Sequence, residues 1–292
     1  MYSSPLRYPG GKGRLAPFME YMIKRTGHEG GTYVEPFAGG AGIAIELLEK
    51  GIVSEIVIND YDKAIYSFWR AILTETDRFI AEVRHIPLTI DEWKKQKTIL
   101  TNKSHRYSYE LGFAAFYMNR TNRSGILKGG VIGGYEQTGR WKMDARFNRE
   151  SLIERISSIA DLRNQIHVYN KDISSFIDIY LDKYSDNSLV YFDPPYYEKG
   201  SQLYMNFFKS KDHVRIERSI SMNVRSDWII TYDDCEEIRR LYSGYSPMRY
   251  DLDYSASRRR KASEIIVFKD KGMIPDNEEL MKEGINIDLR SA

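Results

Sequence analysis

A single cysteine, Cys235, in 292 residues leaves no partner for an internal disulfide and no thiol set for a zinc centre. Histidine is nearly as scarce, with five scattered copies and no HxxxH or CxxC pairing, so a structural metal is not expected. No window approaches the run of about twenty apolar residues that a membrane span needs. The opening stretch Met1–Arg14 lacks the apolar core of a secretory signal. Together these absences point to a reduced, cytoplasmic protein. Neither GxGxxG nor GxxxxGK[ST] occurs, which disfavours a dinucleotide or a triphosphate as ligand. There is no internal repeat or low-complexity tract, and net charge is only +2, too little to indicate nucleic acid by itself.

What the chain does have is ordinary globular content, 42% hydrophobic and 29% charged, enough for one large domain or two smaller ones. Charge is unevenly placed. Between Asn119 and Arg149 seven basic residues (Arg120, Arg123, Lys128, Arg140, Lys142, Arg146 and Arg149) face two acids, Glu136 and Asp144. A second basic focus is Arg258-Arg259-Arg260-Lys261. Such patches in a near-neutral chain fit a phosphate-backbone footprint, although solvated faces look the same.

The stretch Leu189–Phe192 reads as a strand that stops at Asp193-Pro194-Pro195-Tyr196, because consecutive prolines have no N–H for a sheet ladder. An acid stranded at the C-terminal end of a strand lies where open parallel α/β sheets bind ligands. A carboxylate, a carbonyl and an aromatic ring together suit an exocyclic amine on a nucleobase. The alternative is a stiff turn beside a core tyrosine.

Three further motifs precede it. Tyr8-Pro9-Gly10-Gly11-Lys12 is a glycine loop bracketed by a ring and a cation, followed by a helical pattern over Leu15–Ile23. Thr32–Glu35 reads as a strand running into Pro36-Phe37-Ala38-Gly39-Gly40 and a helix over Ile43–Lys50. The next strand, Glu55–Asn59, ends at Asp60, 21 residues past Gly39. An acid at that distance commonly accepts ribose hydroxyls. Helical periodicity covers Tyr66 to about Leu100, Tyr109–Met118 and Leu152–Leu162. Between them Gly129–Trp141 reads as a basic, aromatic hairpin with loops. Further strands are expected at Ile166–Tyr169, ending near Asp172, at Trp228–Tyr232 and at Glu264–Phe268. A terminal helix or tail is expected beyond Lys269.

In this order the four motifs resemble the Dam-like (D12 class, α-group) DNA adenine-N6 methyltransferases, over roughly Pro5–Phe268. The resemblance implies an α/β fold: a seven-stranded Rossmann-like methyltransferase sheet binding S-adenosylmethionine, with an inserted, mainly helical DNA-recognition domain. It places the catalytic domain at 1–65 and 165–292 and target recognition at 66–164. Carried over to this chain, it makes Asp193, Pro194 and Tyr196 catalytic. Tyr8, Gly10, Gly11, Lys12, Glu35, Phe37, Gly39, Asp60, Asp172 and Asp193 would surround the cofactor. Asn119, Arg120, Arg123, Lys128, Arg140, Lys142, Arg259 and Lys261 would meet DNA.

The implied activity is methyl transfer from S-adenosylmethionine to N6 of an adenine flipped out of double-stranded DNA, by a monomer (a dimer being the alternative). A cognate restriction endonuclease acting separately is a further implied partner. Tyr8 stands where some members have tryptophan and Pro9 where they have alanine. The recognition stretch diverges most, so the recognised sequence is not carried over. Cytosine-N4, RNA adenine and protein glutamine methylation are the rival reactions, and a non-catalytic DNA-binding module is the rival class. Asp, rather than Ser or Asn, before Pro-Pro-Tyr favours adenine.

Overall fold

The computed structural model describes residues 4–7, 12–102, 107–197, 208–254 and 260–292, with backbone alone for 252–254 and 260–262. Tyr8, Gly10, Gly11 and Arg259 lie outside the described residues, as does the side chain of Lys261.

Helix α1 (Ala16–Arg25) leads into β1 (Thr32–Glu35), α2 (Gly42–Glu49) and β2 (Glu55–Asn59). Five helices follow: α3 (Lys63–Thr74), α4 (Thr76–His85), α5 (Ile90–Thr101), α6 (Tyr109–Thr121) and α7 (Arg149–Asp161). The chain then returns to the sheet as β3 (Ile166–Tyr169), turns through α8 (Ile173–Ser175) and a π-helical turn (Phe176–Leu181), and enters β4 (Ser188–Phe192). Last come α9 (Ser210–Asn223), β5 (Asp227–Asp233), α10 (Glu236–Leu241), β6 (Met248–Tyr254), β7 (Arg260–Phe268), α11 (Asn277–Lys282) and β8 (Arg290–Ser291).

The strands form one sheet of eight in the order β3-β2-β1-β4-β5-β7-β6-β8. The first five are parallel, and β7, β6 and β8 join antiparallel. This is a Rossmann-like methyltransferase sheet with one strand more than the seven expected. The extra strand, β8, pairs Arg290 with Arg249. The side chain of Asn277 holds it there, donating to the Leu289 carbonyl and accepting from the Leu289 N–H. The sequence pattern missed β6 and α9, because β6 alternates charge with aromatics and α9 is largely polar.

Alternation along the strands explains the layering. Tyr33, Ile56, Ile58, Leu189, Tyr191 and Ile229 point to one face, where α1 to α7 share a single apolar core with them. Val34, Val57, Val190, Phe192, Ile230 and Tyr232 point to the other, under α8, α9 and α10. Strands covered on both faces read as apolar runs, as parallel sheets require. The helical insert is itself tightly packed. Phe68, Phe79, Phe113 and Phe116 contact one another, and Gly112 brings α6 so close to α3 that a Cβ there would lie 2.4 Å from the Ser67 carbonyl oxygen.

Strand order reverses between β1 and β4, and the connections leaving their C-terminal ends run to opposite faces of the sheet, which opens a crevice there. Glu35 ends one of these strands, and Asp193 follows the other.

Candidate active site

Each side of the crevice is built by local chemistry. After β1 the chain takes left-handed backbone at Gly39 (φ 47°) and Ala41 (φ 44°), a conformation that glycine reaches without strain. Asp60 holds this loop: one carboxylate oxygen accepts the Gly39 N–H at 2.9 Å and the other accepts the Asp62 N–H at 2.7 Å. Trp69, on α3, donates its indole N–H to the Gly39 carbonyl at 2.9 Å. The expected ribose acid is thus also the brace of the glycine loop.

Asn59 is buried and ties the ends of two strands together. Its amide donates to the carbonyls of Pro36 and Lys171 and accepts the Lys171 N–H. This brings Phe37 and Asp172 to one cavity of about 400 Å³, which Asn59, Tyr61, Ile173 and Arg215 also line. Asp172 caps α8 through the Ser174 N–H and pairs with Arg215 at 3.4 Å. An aromatic ring, a carboxylate and a cavity of this size fit the adenosyl part of the expected cofactor.

Glu35 is buried, with one oxygen accepting the Ala44 N–H of α2 at 3.1 Å. Burial raises its pKa to about 8; the Ala44 N–H opposes the rise and the nearby charge of Asp193 adds to it.

On the other side, Asp193 leaves β4 beside Lys12. The Lys12 Nζ lies 3.3 Å from Asp193 Oδ1, 2.6 Å from Glu264 Oε2 and 3.2 Å from Thr231 Oγ1. Thr231 donates its one hydroxyl proton to Asp193 Oδ1 at 3.0 Å, so the Tyr191 hydroxyl, 2.8 Å away, donates to Thr231. These contacts of Asp193 converge on Oδ1, which leaves Oδ2 as the acceptor for a ligand.

Glu264 accepts from the hydroxyls of Tyr196 (2.5 Å) and Tyr250 (2.6 Å) as well as from Lys12. Burial opposes its charge, but Lys12 and the two hydroxyls outweigh burial and hold the carboxyl below the usual range. At Asp193 burial wins over Lys12 and lifts the pKa. Lys12 is raised despite its own burial, because it serves two carboxylates.

The expected residues do not all fall where the motif reading put them. Lys12, Glu35, Phe37, Gly39, Asp60, Asp172 and Asp193 all come to the crevice end of the sheet. Tyr196 is buried, and its hydroxyl is fixed on Glu264. Glu264, Thr231, Tyr191 and Tyr250 were not foreseen. One signal was available: Glu264 is a lone acid at the head of the apolar run Ile265–Phe268. Because β7 runs antiparallel to β5, Glu264, in the middle of β7, pairs with Asp233 at the end of β5, on the crevice edge.

In the basic stretch, Arg123, Lys128, Arg140 and Lys142 are exposed, with Arg140 against the exposed Trp141. Asn119 and Arg120 are buried. The Asn119 amide bonds the N–H and carbonyl of Arg7 and the Gly125 carbonyl, so it shapes the turn and is not presented to a groove. The expected hairpin is instead a series of turns, with a single antiparallel bridge, Asn122 to Val131, among the described residues. Gln137 stands in for a ladder, donating to the Ile132 carbonyl and accepting the Met143 N–H.

Comparison with known proteins identifies the family to which the sequence belongs. A family model described as D12 class N6 adenine-specific DNA methyltransferase matches residues 8–255. The chain is 26% identical over 204 residues to the type II methyltransferase M.MjaIII of Methanocaldococcus jannaschii, covering 65% of this chain and 68% of that protein. It is 23% identical over 270 residues to the type II methyltransferase M.CviBI of Paramecium bursaria Chlorella virus NC1A, covering 85% and 90%. Among solved structures, the rRNA methyltransferase aviRa from Streptomyces viridochromogenes is a loose match: 11% identity, TM-score 0.38, covering 91% of this chain and 88% of that one.

Proposed function

The chain belongs to the D12 class N6 adenine-specific DNA methyltransferase family, and on that footing we propose how its crevice carries out site-specific methylation of adenine N6 in DNA. The family's methyl donor is S-adenosylmethionine, which supplies an electrophilic methyl group when bound. Phe37 and Asp172 would hold its adenosyl part in the cavity between β1 and β3, and the Asp60-braced glycine loop would lie against its ribose.

Adenine N6 is engaged in pairing inside a duplex, so the target base must leave the stack to react. Asp193 Oδ2 and the Pro194 carbonyl would then accept its two amino hydrogens. As N6 attacks and becomes positive, those fixed acceptors meet the developing charge. The hydroxyl of Tyr196 is anchored on Glu264, and its ring would meet the base. The observation that carries this reading is that, among the described residues, Asp193 is braced through Oδ1, at the strand reversal beside an adenosyl-sized cavity.

Residues 66–164 supply the DNA-reading part in this proposal, with Arg123, Lys128, Arg140 and Lys142 on its exposed face. Two of its relatives carry the name type II methyltransferase. A separate endonuclease of the same sequence specificity is therefore the partner we propose. The test is Asp193→Ala, assayed for transfer of labelled methyl groups to duplex DNA while circular dichroism monitors the fold. Activity should vanish in a folded protein, and near-normal transfer would refute the role of Asp193.

A further inference from the structure

Four arginines from separate parts of the chain gather at the junction of α6 and α7 with the N-terminal segment, and none has a carboxylate partner among the described residues. Arg120, at the end of α6, is 8% exposed, and its Nε has no hydrogen-bond partner. Arg7 comes from the N-terminal segment, Arg146 from the turn before α7, and Arg155 from α7 itself. Among the described residues none of the four forms an ion pair.

The arrangement is built rather than incidental. Asn119 clamps the Arg7 backbone through its N–H (2.7 Å) and carbonyl (2.7 Å), and Arg7 Nη1 donates to the Asn122 carbonyl at 3.3 Å. Gly125 (φ 74°) lets this segment in: a Cβ there would lie 2.4 Å from the Arg7 carbonyl oxygen. Arg155 Nη1 reaches the Ser4 carbonyl at 3.3 Å. The cost is visible in Arg120. Burial first, then the like charges of Arg155, Arg7 and Arg146, lower its pKa to about 9. Burial and Arg146 lower that of Arg7 as well. A guanidinium stays charged at neutral pH, so the cluster holds unbalanced positive charge.

We propose that Arg7, Arg120, Arg146 and Arg155 form a seat for one phosphodiester group of the DNA substrate. The proposal rests on the reading of duplex DNA as substrate. Arg120 is buried while Arg7 and Arg155 are half-buried and Arg146 is exposed; a buried cation with no acid beside it is costly unless a counter-ion completes it, and guanidinium forks match phosphate oxygens in pairs. The backbone of DNA is favoured over free phosphate by position. Arg7 is five residues from Lys12, so even a fully extended chain puts their Cα atoms within about 18 Å. A nucleotide reacting at Asp193 therefore has its neighbouring phosphates within range of the seat. Arg146 also continues the exposed basic stretch that holds Arg140 and Lys142.

Arg146→Gln and Arg155→Gln test the proposal in the full chain, with Arg120→Gln as the severe variant. Binding of a short unmodified duplex is followed by fluorescence anisotropy across a sodium chloride series, and melting is measured with and without inorganic phosphate at constant ionic strength. We expect Arg146→Gln and Arg155→Gln each to bind more weakly and to lower the slope of log affinity against log salt by about one. Without DNA their melting temperature should hold or rise, because one of four repelling charges is gone. Phosphate should raise the melting temperature of the parent protein more than that of either variant.

An unchanged salt slope in both variants would overturn the seat while leaving methylation by Asp193 standing. Phosphate stabilisation with an unchanged DNA slope would also overturn it, marking a site for free phosphate. A fall in melting temperature without any change in phosphate response would assign the arginines a packing role instead. Failure of the parent protein to bind or methylate duplex DNA would remove the functional reading, and this proposal with it.

Discussion

Replacing Lys12 by Met leaves the half-buried Asp193 and the buried Glu264 with no cation between them. In the parent protein that ammonium is 2.6 Å from one and 3.3 Å from the other. Removing one member of a buried pair typically costs about 3–5 kcal/mol, since the charge left behind stays desolvated. The deficit should depend on pH, with a sign that follows from linkage. Without Lys12 the folded-state pKa of Glu264, held low in the parent, rises above its unfolded value near 4, and that of Asp193, already raised, climbs further. A group with a raised folded pKa gives its full contribution below the unfolded value and loses it as pH climbs through the folded one. Lys12→Met should therefore lose least at pH 5 and most near pH 8, measured by urea unfolding against the parent. Adding Glu264→Gln should recover part of the loss, because one carboxylate then no longer needs a counter-charge. A deficit below about 1 kcal/mol, or one that is flat from pH 5 to 8, would refute the account of Lys12 as the charge that makes this site possible.

Glu35→Gln should abolish a pH dependence of the opposite origin. With its pKa raised to about 8 by burial, Glu35 stabilises the fold fully below about 4.5 and loses that contribution at about 1.4 kcal/mol per unit of pH up to 8, so the parent should fall relative to Glu35→Gln over that window in parallel melts. Arg140→Ala or Arg123→Ala should weaken duplex binding and lower its salt slope by about one with no change in melting temperature, both side chains being exposed, and an unchanged slope would take them out of the interface. Gly112→Ala should cost roughly 1–3 kcal/mol by forcing α6 off α3, as read by chemical denaturation.

The sheet was legible because parallel strands covered on both faces are apolar runs bounded by punctuation. Ile166–Tyr169 and Glu55–Asn59 were read with their observed ends. Strand β6 was not, since Arg249, Asp251 and Asp253 break the run, and only antiparallel pairing with β7 makes it a strand. The motif acids were legible as residues at strand ends. Their partners were not, because Glu264 lies 71 positions beyond Asp193 and reaches it only through the reversed direction of β7. The basic stretch was legible as charge, but composition does not separate a buried arginine from an exposed one. Arg120 and Arg123 are three residues apart, yet the first closes the last turn of α6 inside the molecule and the second faces solvent.

The N-terminal segment links these parts in a way no single motif conveys. Ser4 donates its hydroxyl to the Gly40 carbonyl at 2.5 Å, on the glycine loop that Asp60 and Trp69 brace. Its own carbonyl accepts from Arg155 on α7, and Arg7 is held by Asn119 on α6. Five residues after Arg7, Lys12 reaches the carboxylates of Asp193 and Glu264. Ser4, Arg7 and Lys12 thus touch the glycine loop, the helical insert and the carboxylate pair at the crevice. Ordering it costs conformational entropy of about 1–2 kcal/mol per residue, which the pairing of Lys12 and the clamp on Arg7 must offset. Because the insert and the sheet already share one apolar core, the segment is not needed to hold them together. Its polar contacts instead tie the helical insert to Asp193. Under the proposed function that registry would set where a base meets Asp193, and because group transfer falls steeply with misplacement on the scale of an ångström, the segment's ordering cost would return there as rate.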